Sequence, residues 1–170
     1  SRRIADYAVA MQTAPLPEGS ADAVTRHLID SVACAFGALG ARPARVARTI
    51  AGTASSSAGA SVFGLAQPTT PEYATFANTV MVRYLDYNDT GNGGHPSDMM
   101  SGVLALGEAR GASGAEVILA IHAAYETYAA IRRGGLYGNL LRNKHVDQIY
   151  ATLGAVVGAG VILGLDHERM

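Results

Sequence analysis

Cysteine is nearly absent from this chain, and its scarcity excludes whole classes of site. The single cysteine, Cys34, lies in an apolar run and has no second cysteine with which to form a disulfide or a Cys-x-x-Cys metal site. We therefore expect Cys34 to be a small buried residue in a reducing compartment. The first residues also lack an apolar secretory core, which favours the cytoplasm.

A basic surface and a membrane-length apolar run are missing as well. The formal net charge is −1 at pH 7 and the arginines do not form a stripe, so nucleic acid is not an expected partner. The one long apolar run, residues 149–165, is slightly short for a membrane span and contains several glycines. We predict a buried helix there and no membrane partner.

Motifs for metals and cofactors are not recognisable. The histidines are far apart in sequence, and no His-Glu-x-x-His pair occurs. Glycine-rich nucleotide loops and the Gly-x-Ser-x-Gly elbow of serine hydrolases are missing too. We therefore expect no metal and no cofactor, and proton transfer is the chemistry that remains.

Helical periodicity is what the sequence has in abundance. Hydrophobic residues make up 49% of the 170 residues and recur at helical spacing, whereas alternation of the β type is confined to residues 60–65. The pattern predicts an all-α fold in one domain over residues 1–170, with at most one short extended segment. Helices are expected at residues 3–12, 21–39, 43–54, 71 to 87 or 90, 98–110, 114–133 and 145–165, with N-caps at Ser20, Thr69 or Thr70, Ser97 and Ser113.

A polar cluster follows the fourth predicted helix. Asp86 and Thr90 are four residues apart and would share a helix face, and a glycine-rich loop then leads to His95. Ser97 would begin a new helix, whose free N–H groups favour an anion such as a carboxylate. The cluster can therefore form a site for an acidic substrate.

A structural interpretation of the same segment stays open. Asn88, Asp89 and Thr90 are residue types that routinely supply turn and cap hydrogen bonds at helix ends. The other histidines, His27, His122 and His167, are expected to be structural or to lie on the surface.

The segment YLDYNDTGNGGHPSD, residues 84–98, resembles the signature of the 2-methylcitrate dehydratases in the MmgE/PrpD family. Two other segments, LIDSVACAFGALG and HVDQIYATLGAVVGAGVILGLD, resemble an early helix and a later glycine-rich helix of that family. The resemblance covers nearly the whole chain. It implies the helical N-terminal portion of a cofactor-free acid/base enzyme that acts on small polycarboxylates such as 2-methylcitrate and cis-aconitate.

The resemblance also implies roles for individual residues. Asp86, Thr90 and His95 match polar active-site positions, and His145 matches the histidine that opens the later helix. We expect His95 and His145 to be catalytic together with Asp86, which would orient His95. The expected substrate-binding residues are Thr90, Lys144 and Ser97. Lys144 and His145 form a cationic pair that can hold a carboxylate.

These features predict a lyase of the 2-methylcitrate dehydratase type. The His-Pro-Ser-Asp sequence favours that branch, although the loop between Thr90 and His95 is shorter than in the dehydratases. A decarboxylase acting on cis-aconitate and a non-catalytic helical module are the alternatives. Enzymes of the family are longer and have a smaller α+β domain with further active-site residues, so we expect a fragment or subunit that works as a homo-oligomer or with a complementary chain.

Overall fold

The computed structural model describes residues 2–54, 56, 59–91, 94–133 and 148–170. Its fold in these ranges is all-α, as predicted, and the expected extended segment is reduced to one antiparallel bridge between Ala60 and Thr69. A 3₁₀ helix, Pro96–Met99, leads directly into the fifth α-helix. The α-helices are α1 Arg2–Met11, α2 Ser20–Gly37, α3 Arg42–Ala51, α4 Pro71–Tyr84, α5 Met100–Arg110, α6 Gly114–Ile131 and α7 Gln148–Leu163.

The predicted helix starts are confirmed at one capping box and wrong at two positions. Ser113 and Glu116 exchange the hydrogen bonds of a capping box at the start of α6. Ser20 is the first residue of α2 rather than its cap, because Gly19 takes the cap position in the left-handed conformation that glycine tolerates. Ser97 lies inside the 3₁₀ helix and does not cap α5. Thr70 occupies the cap position of α4 without a capping hydrogen bond from its side chain.

The predicted end of α4 is wrong, and this difference matters most for the site. The sequence predicted a helix that continues to residue 87 or 90, but α4 ends at Tyr84. Asp86 has a φ of 53°, a left-handed conformation that aspartate tolerates better than most residues and that cannot continue an α-helix. Asp86 and Thr90 therefore do not share a helix face, and the motif forms a loop instead.

Apolar side chains pack into three clusters around this loop. One cluster joins α3 and α4 to the segment near the bridge, and a second joins α1, α5, α6 and α7. The third lies under the 3₁₀ helix and contains Met99, Tyr128 and Tyr150. Gly154 allows α7 to approach α6, because a Cβ at this position would lie 2.8 Å from the carbonyl oxygen of Ala124. The 3₁₀ helix thus rests on a tightly packed pair of helices.

Cys34 is buried in α2, as the sequence predicted. None of the helices in the described part of the chain has both the length and the apolar character needed to span a membrane.

Candidate active site

The motif loop, defined here as residues 85–98, connects α4 to α5. Its backbone turns tightly, because Gly91 N–H donates to the carbonyl oxygen of Gly94 at 2.8 Å and Asp98 N–H donates to that of His95 at 3.1 Å. These turns bring the beginning and the end of the loop together. Polar side chains from both of its ends therefore meet each other and the neighbouring helices.

Asp89 joins the loop to two other helices. Its Oδ1 accepts a hydrogen bond from Ser97 N–H at 2.9 Å, and its Oδ2 accepts one from the Tyr125 hydroxyl of α6 at 2.8 Å. His27 of α2 places Nδ1 3.4 Å from the same Oδ2. The Asp89 side chain is only 9% exposed. Two donors and an imidazole thus satisfy a carboxylate that would be costly to bury alone.

Asn88 and Ser97 form the adjoining part of this network. Asn88 Nδ2 donates to Ser97 Oγ at 2.8 Å and lies 3.2 Å from Asp98 Oδ1. Ser97 is fully buried, so its hydroxyl supports the loop and has no exposure to a ligand in this structure. Burial raises the pKa of Asp98, and the nearby Arg83 and His95 partly oppose this increase.

Asp86 makes a different kind of contact on the solvent side of the loop. Its Oδ1 accepts a hydrogen bond from Arg83 and lies 3.1 Å from His95 Nε2. The Arg83 hydrogen bond and charge, followed by the smaller influence of His95, lower the pKa of Asp86. The Asp86 side chain is 69% exposed, whereas that of His95 is 17% exposed and its Nδ1 is buried without a hydrogen-bond partner. The sequence predicted that Asp86 would orient His95, and the two side chains are in contact in the structure.

A cavity of about 430 Å³ lies beside the loop. Its volume suits a small ligand. Arg132 borders it and donates to the carbonyl oxygen of Gly91 at 2.8 Å, and its guanidinium carbon lies 5.8 Å from the centre of the Tyr128 ring. The lining residues are His27, Asp89, Thr90, Gly91, Pro96, Tyr125, Tyr128, Ala129, Arg132 and Arg133.

The predicted site residues divide into four groups. Thr90 lines the cavity, whereas Asp86 and His95 contact each other outside its lining. Ser97 belongs to the loop and is fully buried. His145 and Lys144 lie outside the described residues, so their predicted roles stay predictions.

Sequence reasoning did not assign a site role to four residues that line the cavity. His27 was expected to be structural or on the surface, and Asp89 was considered only as a turn or cap residue. Tyr125 and Arg132 were not singled out, although their spacing of seven residues places them on one face of a helix. That spacing, together with a second aspartate in the motif, was the available signal.

No group of three or more histidine, cysteine, aspartate or glutamate side chains in the described ranges is arranged to hold a metal ion. The expectation of a site without metal or cofactor stays a prediction. The chemical groups that the cavity offers are imidazole, carboxylate, hydroxyl and guanidinium.

Comparison with known protein families identifies the class to which this helical fold and its loop belong. The family model described as the MmgE/PrpD N-terminal domain matches residues 2–170. The chain therefore belongs to the MmgE/PrpD family, which contains lyases. No solved structure matches the chain.

Proposed function

We propose that this chain contributes the helical part of a cofactor-independent lyase that dehydrates a small hydroxy-polycarboxylate of the 2-methylcitrate type. The observation that carries this proposal is the position of the cavity. Thr90, Gly91 and Pro96 of the family motif line it, and so do Arg132 and Arg133. Guanidinium groups favour carboxylates, so a polycarboxylate is the ligand class that fits this lining.

Among the described residues, the charge of Arg133 is only weakly engaged. The Arg133 side chain is 69% exposed and lies 3.7 Å from the exposed Glu126, a contact that water and salt weaken strongly. Asp89 is the carboxylate of the cavity, and its oxygens already accept hydrogen bonds from the protein. Arg133 is therefore a cationic group of the lining that a bound polycarboxylate can contact.

Dehydration requires one base and one acid. The base takes the proton on the carbon beside a carboxylate, and the electron pair of that C–H bond forms the C=C bond as the neighbouring C–O bond breaks. The departing hydroxyl receives a proton from the acid and leaves as water. We assign a proton-transfer role to His95 with Asp86 orienting it, and Thr90 hydrogen-bonds the substrate. Lys144 and His145 complete the site in this proposal.

The test is replacement of His95 by Gln in the native protein, with the conjugated alkene product followed by ultraviolet absorbance. Turnover of 2-methylcitrate should fall by about a hundredfold or more, because positioned acid/base groups typically contribute that much. His167→Gln is the control, since His167 lies outside the motif and is 56% exposed. Unchanged activity in His95→Gln would remove His95 from the mechanism. Release of carbon dioxide from cis-aconitate without dehydration would favour the decarboxylase.

We also propose that efficient turnover needs more polypeptide than these 170 residues. Among the described residues, His27 and Arg133 at the border of the cavity are exposed, and enzymes that the motif resembles carry further active-site residues in a smaller α+β domain. Excluding water strengthens the electrostatic stabilisation of the developing charge. The isolated chain should therefore be a poor catalyst, and native mass measurement of the complete protein should reveal a second copy or a complementary chain.

A further inference from the structure

His27 is the only one of the described histidines that lines the cavity of the motif loop. Its imidazole approaches Asp89 and packs on the Tyr125 ring, with 5.1 Å between the ring centres and an angle of 34° between the planes. The side chain is 41% exposed, so one edge of the imidazole is open to a ligand. An accessible imidazole with a buried carboxylate behind it is the usual arrangement of a proton-transfer group.

A second imidazole–carboxylate contact in the chain shows what is special about this one. His167 Nδ1 also lies 3.4 Å from a carboxylate oxygen, that of Asp6, but the two side chains are 56% and 55% exposed. Solvent and salt weaken such a surface contact. Asp89 is 9% exposed and is held by donors from Ser97 and Tyr125. Asp89 can therefore orient His27, whereas no such pair of donors holds Asp6 among the described residues.

The Tyr125 hydroxyl is a constant hydrogen-bond donor to Asp89. Burial, followed by the charge and hydrogen bond of Asp89, raises the pKa of the Tyr125 hydroxyl far above its usual value. The phenol therefore keeps its proton and donates it to Asp89 throughout the physiological range. The acceptor oxygen of Asp89, 3.4 Å from His27 Nδ1, in turn favours the tautomer with its proton on Nδ1, which leaves the lone pair of Nε2 available.

We propose that His27 is a catalytic base of this cavity and that Asp89 and Tyr125 are its positioning residues. This inference rests on the proposed lyase function. His27 Nε2 takes the carbon-bound proton of the substrate, and the electron pair of that bond forms the C=C bond while the C–O bond breaks. The departing hydroxyl takes a proton from the acid of the site and leaves as water, and exchange with solvent then restores this acid and His27.

The surroundings of His27 are consistent with this role. Asp89 faces it from the motif loop and Tyr125 from α6, and Arg132 and Arg133 line the same cavity. The arginines hold carboxylates of the substrate and stabilise the negative charge that develops when the proton is removed. The separation of 3.4 Å between Nδ1 and Oδ2 is longer than a good hydrogen bond, and such contacts commonly shorten when a ligand closes the site.

The first test is replacement of His27 by Ala in the native protein, with free imidazole added back. The kcat/KM should fall by about a hundredfold or more. Added imidazole should restore part of the lost turnover, increasingly as rising pH converts it to the free base. His167→Ala is the matched control and should change neither turnover nor its response to imidazole. Activity of His27→Ala within about twofold of the unchanged protein, or a loss that imidazole does not restore, would overturn the inference.

A second measurement separates this inference from the proposed lyase function. In ¹⁵N-labelled protein, the His27 ring should carry its proton on Nδ1, and citrate should shift its Nε2 resonance. Tyr125→Phe should change the His27 ring resonances, because it removes a donor that holds Asp89 in place. A His27 resonance that citrate does not affect would overturn the role of His27 even in an active enzyme. Absence of lyase activity together with the citrate shift would reject only the proposed function and would support His27 as a ligand-contacting imidazole.

Discussion

Two aspartates of the motif loop, three residues apart, have opposite surroundings. Asp86 is 69% exposed and is held by Arg83 and His95, whereas Asp89 is 9% exposed and is held by donors of the protein interior. We call the first the Asp86 contact. We call the second the buried network, which comprises Asn88, Asp89, Ser97, Asp98 and Tyr125.

The difference in burial indicates that the two aspartates have different roles in the motif loop. The buried network joins the loop to α6 and to the 3₁₀ helix, and so it fixes the shape of the cavity. The Asp86 contact leaves its carboxylate open to solvent, where a ligand or another polypeptide segment can reach it. Residues in the buried network should therefore affect stability strongly, and Asp89 and Tyr125 should also affect chemistry through His27. Residues in the Asp86 contact should affect chemistry with little effect on stability.

The largest expected effect on stability is that of Asp89→Ala. The change removes the acceptor for Ser97 N–H and the Tyr125 hydroxyl, and it leaves these donors without their partner. We expect the free energy of unfolding to fall by about 2–4 kcal/mol, as for other losses of buried hydrogen bonds to charge. Denaturant unfolding followed by circular dichroism measures it.

Asp86→Ala is the matched variant, because it makes the same chemical change three residues earlier. Its exposed carboxylate should contribute little to the free energy of unfolding. A destabilisation equal to that of Asp89→Ala would contradict the division into a buried network and an exposed contact.

The fold was more accessible to sequence reasoning than the site was. Helical spacing and the capping pair of Ser113 and Glu116 are local signals, and they correctly predicted an all-α chain with a helix that starts at Gly114. The end of α4 was missed because Asp86 takes a left-handed conformation and the loop is bonded to Tyr125 of α6. Propensity at residues 85–90 does not reveal that partner.

Only the contacts between residues that are close in sequence could be predicted for the candidate site. The motif indicated Asp86 and His95, which lie nine residues apart and contact each other. The contacts of Asp89 reach Tyr125, 36 residues later, and His27, 62 residues earlier, so they depend on how α2 and α6 pack. No periodicity within one helix encodes such a meeting. His27 therefore looked like any other histidine of a helical pattern.

A smaller effect should come from the packing beneath the buried network. A Cβ at Gly154 of α7 would collide with Met99, which ends the 3₁₀ helix, and would lie 2.8 Å from the carbonyl oxygen of Ala124. Gly154→Ala should therefore lower the free energy of unfolding by about 1–3 kcal/mol, the usual range for an overpacked core. Thermal unfolding measures the change.

Gly102→Ala provides the control in α5, where the nearest atom to the added Cβ would be Thr75 Cγ2 at 3.6 Å. That position has room, so alanine should stabilise the protein by about 0.5–1 kcal/mol through its better helix propensity. Destabilisation by both variants would show that packing under the 3₁₀ helix is not special.

The smallest expected effect is on the pH dependence of stability. It concerns Asp86 and Asp98, the two carboxylates that Arg83 contacts, whose contributions should change in opposite directions with pH. Burial raises the pKa of Asp98 above 3.8, so its contribution to stability is fully present below that value and is lost as pH rises through the raised pKa. Arg83 and, less strongly, His95 lower the pKa of Asp86, so its contribution is present above 3.8 and is lost as pH falls through the lowered pKa.

We therefore expect the stability difference between the unchanged protein and Asp98→Asn to decrease as pH rises, whereas the difference for Asp86→Asn should increase. Urea unfolding of the three proteins across the acidic range measures both slopes. Slopes of the same sign would show that the two carboxylates share one environment and would end the distinction between the buried network and the Asp86 contact.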